Sequence, residues 1–362
     1  MARNDDSQAA ELTLDALPDH VEATMQIRDS WLKRLPRSSQ GLEFVVSDLQ
    51  RWQPGTTVRI AFLSGASPLH RDIAEAVSEI TKHCNLKLDF GFDSNSGASR
   101  AWREADTHYS ADIRVSFDQP GFFSLVGTDS INGSIGAPRE KVGGRPGQRT
   151  LNLGGFVVQR PSNWQGVVRH EFLHALAFQH AHQNARGPCE TEFRWEDDDG
   201  YEPTTDAQGA YGKDAAGRSP GIYTYLAGPP NYWSRTKVDH NLRRIEGPEV
   251  TLGAFDRSSI MLYRFPDHFY KKTPSDCAPL SDGISLSEGD KRGLRLLYPQ
   301  IGPQLLEVVD RRNQLLGKID DTVDDRMGLE IRRKGVSPLN GQAAAALRSA
   351  IRRQKLERIH LL

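Results

Sequence analysis

The chain has 362 residues, more than an average single domain, so we expect two lobes plus terminal extensions. Its formal net charge of −1 excludes the basic excess typical of nucleic-acid and membrane-surface binding, so we expect neither partner. The mean hydropathy is −0.56, and no run approaches the roughly 20 apolar residues that a membrane span needs.

Residues 1–50 begin polar and acidic and then include a helical pattern over about residues 17–34. They contain no apolar stretch of the signal-peptide type, so the sequence indicates no secretory leader. We interpret this segment either as a pro-region that covers a cleft or as an N-terminal arm. Its composition does not separate the two.

Three cysteines, Cys84, Cys189 and Cys277, are too few and too scattered for a disulfide framework. One pair could form and leave an odd thiol, but three unpaired thiols are at least as compatible with the sequence. Together with the missing leader, this indicates a reducing compartment or an export route without a recognisable signal. The sequence therefore leaves the localisation and the oligomeric state open.

From Trp52 onwards the pattern changes to short strands and one helix. The predicted strands cover residues 58–63, 86–92, 113–117 and 150–153, and the helix covers residues 68–84. Residues 119–130 predict a turn followed by a further strand, and residues 136–149 predict a surface loop. This order favours an α/β lobe with a mostly parallel sheet.

The stretch 167–182 reads VVRHEFLHALAFQHAH and contains His170, Glu171 and His174 in the pattern H-E-x-x-H. A helix turns about 100° per residue, so the two histidines lie roughly 40° apart, one turn from each other. Two imidazoles placed this way can hold one zinc ion, and Glu171 can reach a water that the metal activates. The pattern predicts the helix of a zinc peptidase.

The third ligand depends on where this helix ends. A continued helix would carry His180 about 9 Å beyond His174 and onto another face. His180 can be a ligand only if the chain breaks after Leu176 and turns back at Ala177. A left-handed alanine there costs roughly 1–2 kcal/mol, which metal binding can offset.

Two alternatives for the third ligand remain. His182 is the nearest other imidazole, and we interpret it as a surface or cleft residue. A glutamate further along would give a thermolysin-like site, and the candidates are Glu190, Glu192 and Glu196.

The second half of the chain is less regular. Residues 197–235 predict a loop-rich lobe ordered mainly by aromatic packing of Trp195, Tyr201, Tyr223, Tyr225, Tyr232 and Trp233. Residues 286–298 predict a helix with Ser287 as N-cap and Asp290 as the capping-box acid. Residues 301–362 predict an extension with a basic helix over about residues 341–359.

Five residues, Ser259-Ile260-Met261-Leu262-Tyr263, have the form S-x-M-x-Y, which resembles the methionine turn of metzincins and, within them, of the astacin branch. Four further motifs support this resemblance: W-x-P-G at 52–55, A-D-I-R-V-S-F at 111–117, P-G-x-x-S-x-x-G-T-D at 120–129 and L-S-x-x-D at 286–290. Over about residues 51–300 the chain is similar to bacterial and fungal astacin-like peptidases.

The resemblance implies an α+β, metzincin-like catalytic domain with a mostly parallel twisted sheet and two long helices in an upper lobe, above an irregular lower lobe. The expected parts are an N-terminal extension or pro-region (1–50), an upper lobe (51–180), a lower lobe (181–300) and a C-terminal extension (301–362). The implied activity is zinc-dependent endopeptidase cleavage of protein or peptide substrates. An extended peptide would pair with an edge strand at residues 122–128.

The resemblance also implies the roles of the site residues. His170, His174 and His180 would bind Zn²⁺, Glu171 would be the general base, Met261 would form the structural turn, and Tyr263 would bind zinc or assist the reaction.

Two positions depart from the family pattern. Ala177 stands where glycine is usual, and Ala181 stands where animal enzymes carry a glutamate that anchors the trimmed N-terminus. A non-catalytic, zinc-containing binding protein is the alternative, although a purely structural site does not need Glu171.

Overall fold

The computed structural model describes residues 16–32, 50–245 and 253–300. The helices in this part of the chain are α1 (Asp19–Leu32), α2 (Ser67–Thr81), α3 (Trp164–Ala175), α4 (Cys189–Glu192), α5 (Ile222–Ala227), α6 (Arg235–Leu242) and α7 (Glu288–Leu297). The strands are β1 (Thr57–Phe62), β2 (Lys87–Asp89), β3 (Ile113–Ser116), β4 (Phe122–Ser124) and β5 (Leu151–Leu153). Short 3-10 helices cover Gly127–Ile131, Ala181–Gln183 and Asp267–Phe269. The extension at 301–362 lies outside the described residues.

The five strands form one sheet in the order β2-β1-β3-β5-β4. Strands β2, β1, β3 and β5 are parallel to their neighbours, and β4 alone runs antiparallel, at one edge beside β5. The predicted α+β fold with a mostly parallel sheet is therefore confirmed. β1 and β3 are short and almost continuously buried, as expected for strands that helices or loops cover on both faces.

The edge strand is shorter than predicted. β4 ends at Ser124, and Gly127, with φ 54, begins a 3-10 helix in place of the expected strand residues up to Thr128. A Cβ atom at Gly127 would lie 1.8 Å from the carbonyl oxygen of Gln50. The close approach of another backbone, rather than strand propensity, determines the conformation here.

The largest core lies between the sheet and helices α2, α3 and α7, and we call it the sheet core. In α2, Ile73, Val77 and Ile80 are buried at helical spacing, which explains why this segment is a helix. The other large members include Ile60, Phe62, Val168, Phe172, Leu173, Leu176, Met261, Leu294 and Tyr298. Because α3 contributes to this core along its length, the helix that carries the histidines is held rigidly.

A second core, the aromatic core, fills the irregular half of the chain. Its buried members include Phe193, Trp195, Trp233, Phe265, Phe269 and Tyr270. Tyr223 and Tyr225 pack against it as predicted, but Tyr232 is 72% exposed, so its predicted role in packing is wrong. This residue has a left-handed backbone (φ 51) in the turn before α6, and that turn directs the ring outward.

Cys189 and Cys277 form a disulfide across the aromatic core, and Cys84 is a buried free thiol in the sheet core. The alternative of three unpaired thiols is therefore wrong. The two bonded cysteines are 88 residues apart in sequence, so only the tertiary fold brings them together. The disulfide ties α4 to the chain beyond Met261.

Helix α1 packs against the body of the protein on two sides. Val21 and Met25 join a small core with Phe123, Leu125 and neighbouring side chains beside β4. On the other side, Lys237 of α6 forms a salt bridge with Asp19 of α1. The helical pattern predicted near residue 17 is confirmed. The two interpretations of this segment, as a pro-region or as an arm, both stay predictions.

Candidate metal centre

Helix α3 stops at Ala175, and the chain turns back at Ala177, which has a left-handed backbone with φ 69. The last carbonyl groups of a helix lack partners within the helix. Here the indole Nε1 of Trp52 donates to the Ala175 carbonyl at 2.8 Å, and the Tyr298 hydroxyl donates to the Leu176 carbonyl at 2.9 Å. Side chains from distant parts of the chain thus satisfy the end of the helix at the point where it breaks.

This turn brings three imidazoles together. The potential ligand atoms of His170, His174 and His180 all lie within 4.8 Å of one another, and the Nε2 atoms of His174 and His180 are 3.0 Å apart. Three nitrogens bound to one zinc ion at about 2.0–2.1 Å would lie roughly 3.4 Å from each other, so the donor set fits a tetrahedral metal with small adjustments. Among the described residues this is the one group of three or more such side chains that could hold a metal ion.

Backbone carbonyls fix the orientation of two of these rings. The Nδ1 atom of His170 lies 2.8 Å from the Ile260 carbonyl oxygen, and that of His174 lies 2.8 Å from the Phe178 carbonyl oxygen. A carbonyl can only accept, so each Nδ1 carries the proton and donates it. The Nε2 lone pairs are then available to a metal, which is the usual arrangement of metal-binding histidines.

The methionine turn lies directly against this group. The amide N–H of Ala181 donates to the Met261 carbonyl at 2.8 Å, and Met261 itself is buried in the sheet core. The ring of Tyr263 lies 4.4 Å from the His180 ring and 5.8 Å from the His170 ring, centroid to centroid. The structure therefore brings Met261 and Tyr263 to the three histidines from a distant part of the chain.

Glu171 lies in α3 between the first two histidines, and its side chain is only 2% exposed. A glutamate next to the first histidine of this pattern can reach a water bound to the metal. Its burial limits the access of bulk water, and such a site strengthens the electrostatic interactions of the carboxylate.

His182 is not a surface or cleft residue, so this interpretation is wrong. It is 1% exposed, its Nε2 lies 3.0 Å from the Asn241 carbonyl oxygen, and its ring stacks on those of His180 and Tyr263. It does not belong to the group of three potential ligands, and it contacts that group through the ring of His180. The alternation H-A-H contains no signal that distinguishes a buried from an exposed imidazole.

The downstream glutamates are engaged elsewhere. Glu190 pairs with Arg243, Glu192 with Lys272, and Glu196 with Arg235. None of them joins the potential metal group of the described residues. Nothing in these contacts favours a thermolysin-like ligand set.

Comparisons with protein-family models and with curated proteins give no match. Among solved structures, two of myroilysin are similar to the chain, with 24% and 22% identity, TM-scores of 0.48 and 0.41, and coverage of 70% and 69% of this chain and 97% and 86% of theirs. High choriolytic enzyme 1, a hatching enzyme zinc-protease from the medaka fish Oryzias latipes, is 16% identical with a TM-score of 0.35, covering 69% of this chain and 94% of its own.

In this chain a turn at Ala177 gathers three histidines against a methionine turn. This is the arrangement that the resemblance to astacin-like peptidases implies. Of the two departures from the family pattern, Ala177 adopts the left-handed conformation expected of glycine. Ala181 contacts the methionine turn through its backbone N–H, and its methyl side chain offers no carboxylate to an N-terminus.

Another contact lies near the same turn. Arg28 of α1 forms a buried ion pair with Asp129, which belongs to the 3-10 helix Gly127–Ile131. That 3-10 helix approaches Ala177 through Gly127, because a Cβ atom built there would lie 3.0 Å from the Ala177 Cβ. No local pattern in the sequence indicates this pair, since its members are 101 residues apart.

No helix of the described residues is long and apolar enough to span a membrane.

Proposed function

We propose that the chain is a zinc-dependent endopeptidase in which His170, His174 and His180 hold the metal and Glu171 is the general base. The observation that carries this proposal is the convergence of three imidazoles, two with Nδ1 tied to carbonyls, beside a buried glutamate. A purely structural zinc site uses four protein ligands, whereas three leave a position open for chemistry. The substrates are proteins or peptides.

Zinc bound here would act as a Lewis acid and lower the pKa of a water towards neutrality. Glu171 would accept a proton from the attacking water and then deliver it to the amine that leaves. Its low exposure supports this role, because a site closed to bulk water limits the leakage of a transferred proton to solvent.

Tyr263 is the second candidate for a direct part in the reaction. Its ring lies against His170, His180 and His182, at the rim of the group. From there its hydroxyl can donate a hydrogen bond to the carbonyl oxygen of the substrate as negative charge develops on it. The same proposal includes Tyr263 as an additional ligand of the metal when no substrate is bound.

Strand β4 is the candidate for peptide binding. It is the edge strand of the sheet, it pairs with β5 on one side, and it lies next to α3. An extended peptide could add to such an edge by backbone hydrogen bonds. Because β4 covers only Phe122–Ser124, we expect this pairing to involve about three substrate residues.

The test compares cleavage of denatured casein by the wild type, Glu171→Gln and Glu196→Gln. Glu196 is a matched control, since it is an exposed carboxylate paired with Arg235 outside the metal group. We expect Glu171→Gln to lose at least about a hundredfold in kcat while keeping one zinc per chain, because general-base catalysis contributes that much. Glu196→Gln should cleave like the wild type.

Chelation should abolish cleavage, and added zinc should restore it. His180→Ala should lose zinc, whereas Glu192→Ala should keep it. Retention of zinc by His180→Ala together with its loss from Glu192→Ala would indicate the thermolysin-like ligand set. Equal cleavage by the wild type and Glu171→Gln, or no cleavage by either at any zinc concentration, would overturn the peptidase proposal and favour a binding protein.

A further inference from the structure

Asp290 is a buried carboxylate that contacts two elements at once. It is the third residue of α7 and completes the capping box with Ser287, whose backbone N–H donates to Asp290 Oδ2 at 2.9 Å. The same carboxylate accepts from the Ser259 hydroxyl at 2.6 Å and from the Ile260 N–H at 3.0 Å. Its side chain thus joins the start of α7 to the methionine turn.

The hydrogen bonds continue from this turn to the three histidines. The Ser259 oxygen that donates to Asp290 also accepts from the Met261 N–H at 3.1 Å. The Ile260 carbonyl accepts from His170 Nδ1, and the Met261 carbonyl accepts from the N–H of Ala181, the residue after His180. The N–H that donates to Asp290 and the carbonyl that reaches His170 therefore belong to one residue, Ile260. The carbonyl that reaches Ala181 belongs to the next residue along the chain.

We propose that Asp290 is a positioning residue for the metal site: by fixing the methionine turn it sets the placement of His170 and His180, and so the affinity for zinc. This inference rests on the proposed zinc site. The two histidines come from opposite sides of the break at Ala177, so a common support is needed to hold their spacing. Outer contacts of this kind typically change metal affinity by about 10–100-fold when they are removed.

A carboxylate is needed at this position because three donors converge on it. The Ser259 hydroxyl, the Ile260 N–H and the Ser287 N–H all point at its two oxygens, and an ionised carboxylate offers only acceptors. An asparagine whose oxygen accepts from the two N–H groups would turn its NH₂ group to the Ser259 oxygen, which can accept as well as donate. Asp290→Asn therefore reverses one hydrogen bond and replaces charge-assisted contacts with weaker neutral ones, with almost no change of shape.

Asp256 offers a matched control at the same helix end. Its Oδ2 accepts from the Ser287 hydroxyl and from the Gly289 N–H, at 2.7 Å and 3.1 Å. Its Oδ1 accepts from the Ser258 N–H at 2.9 Å. Within the part of the chain that the structure describes, its carboxylate accepts no hydrogen bond from Ile260 or Met261, the two residues whose carbonyls reach the histidine segments. Asp256→Asn thus removes one charge beside the start of α7 and leaves the contacts of Asp290 with the turn in place.

The experiment measures zinc dissociation constants of the apo-proteins with a competing chelator, and records the Co²⁺-substituted absorption spectra. The proteins are the wild type, Asp290→Asn, Ser259→Ala and Asp256→Asn, together with Leu294→Ala as a control for a loss of stability within α7. We expect about 10–100-fold weaker zinc binding and a shifted Co²⁺ spectrum for the first two variants. The two controls should show lower melting temperatures with zinc binding within about twofold of the wild type.

Zinc binding within twofold of the wild type in both Asp290→Asn and Ser259→Ala would overturn the inference and leave Asp290 as a helix cap. Equal weakening in Asp256→Asn or Leu294→Ala would also overturn it, since loss of stability alone would then explain the effect. If Asp290→Asn does not fold, Ser259→Ala decides the question, because it leaves the capping box intact. A wild type that binds no zinc would overturn both this inference and the proposed function.

Discussion

Ala177 adopts a left-handed backbone conformation that alanine reaches only at a cost of about 1–2 kcal/mol. A glycine there would remove this strain but would lose about 0.4–1 kcal/mol through the greater freedom of the unfolded chain. We therefore expect Ala177→Gly to raise the free energy of unfolding by up to about 1.5 kcal/mol, measured by urea denaturation. Zinc binding should be unchanged, because the turn keeps its shape.

Ala177→Val is the matched opposite change. A β-branched residue in this conformation is strongly strained, and the Ala177 Cβ already lies close to where a Cβ on Gly127 would be. We expect a loss of more than about 2 kcal/mol. Destabilisation by Ala177→Gly, or tolerance of Ala177→Val, would show that the turn is not strained in solution.

At the scale of single residues, a contact could be predicted from the sequence when its members lie close together along the chain. His170, Glu171 and His174 could be predicted because helical geometry alone relates them. His180 could be placed only by assuming a break at Ala177, and the side chains that satisfy this break, Trp52 and Tyr298, come from both ends of the domain. The capping box of Asp290 is local and was predicted, whereas its contacts with the methionine turn, 30 and 31 residues away, carry no local signal.

At the scale of elements, substitutions in α1 test whether the N-terminal segment is part of the folded protein. Met25 is 5% exposed and packs against Phe123 beside β4, whereas Ile27, on the same helix, is 40% exposed. We expect Met25→Ala to lower the free energy of unfolding by about 2–5 kcal/mol, as for other buried methionines, and Ile27→Ala by less than about 0.5 kcal/mol. Chemical denaturation of both variants measures the difference.

An equal and small effect of the two substitutions would mean that α1 does not dock in solution. The expected difference would show that α1 docks, as both a pro-region and an arm would. Helix α1 contacts residues beside β4 on one side and Lys237 of α6 on the other. Its removal would therefore expose the small core beside β4 and break the ion pair with α6. The sequence predicted the helix but not its docking, because its hydrophobic pattern does not specify a partner.

At the scale of the whole molecule, the mostly parallel sheet and the two long helices could be predicted, since short apolar strands and helical spacing are local patterns. The irregular half could not, because its order depends on contacts between distant residues. The Cys189–Cys277 disulfide is the clearest of these. Disulfides persist in oxidising compartments, so this pair weakens the expectation of a reducing one.

We expect reduction of this disulfide to lower the free energy of unfolding by about 4–5 kcal/mol, because a cross-link across 88 residues strongly restricts the unfolded chain. Urea denaturation with and without a reductant, compared with Cys189→Ala/Cys277→Ala in the same buffers, measures the change. The double variant should match the reduced wild type and should not respond to the reductant.

Cys84 should not interfere with this measurement in the folded protein. Burial in the sheet core raises the pKa of its thiol to about 11, so little reactive thiolate forms near neutral pH. Unfolding removes this burial, so alkylation of the unfolded, unreduced chain should add one label, at Cys84, because the other two cysteines are bonded to each other. Alkylation after reduction should add three labels. Three labels without reductant would contradict the disulfide, and the aromatic core would then have to hold α4 to the segment around Cys277 by packing alone.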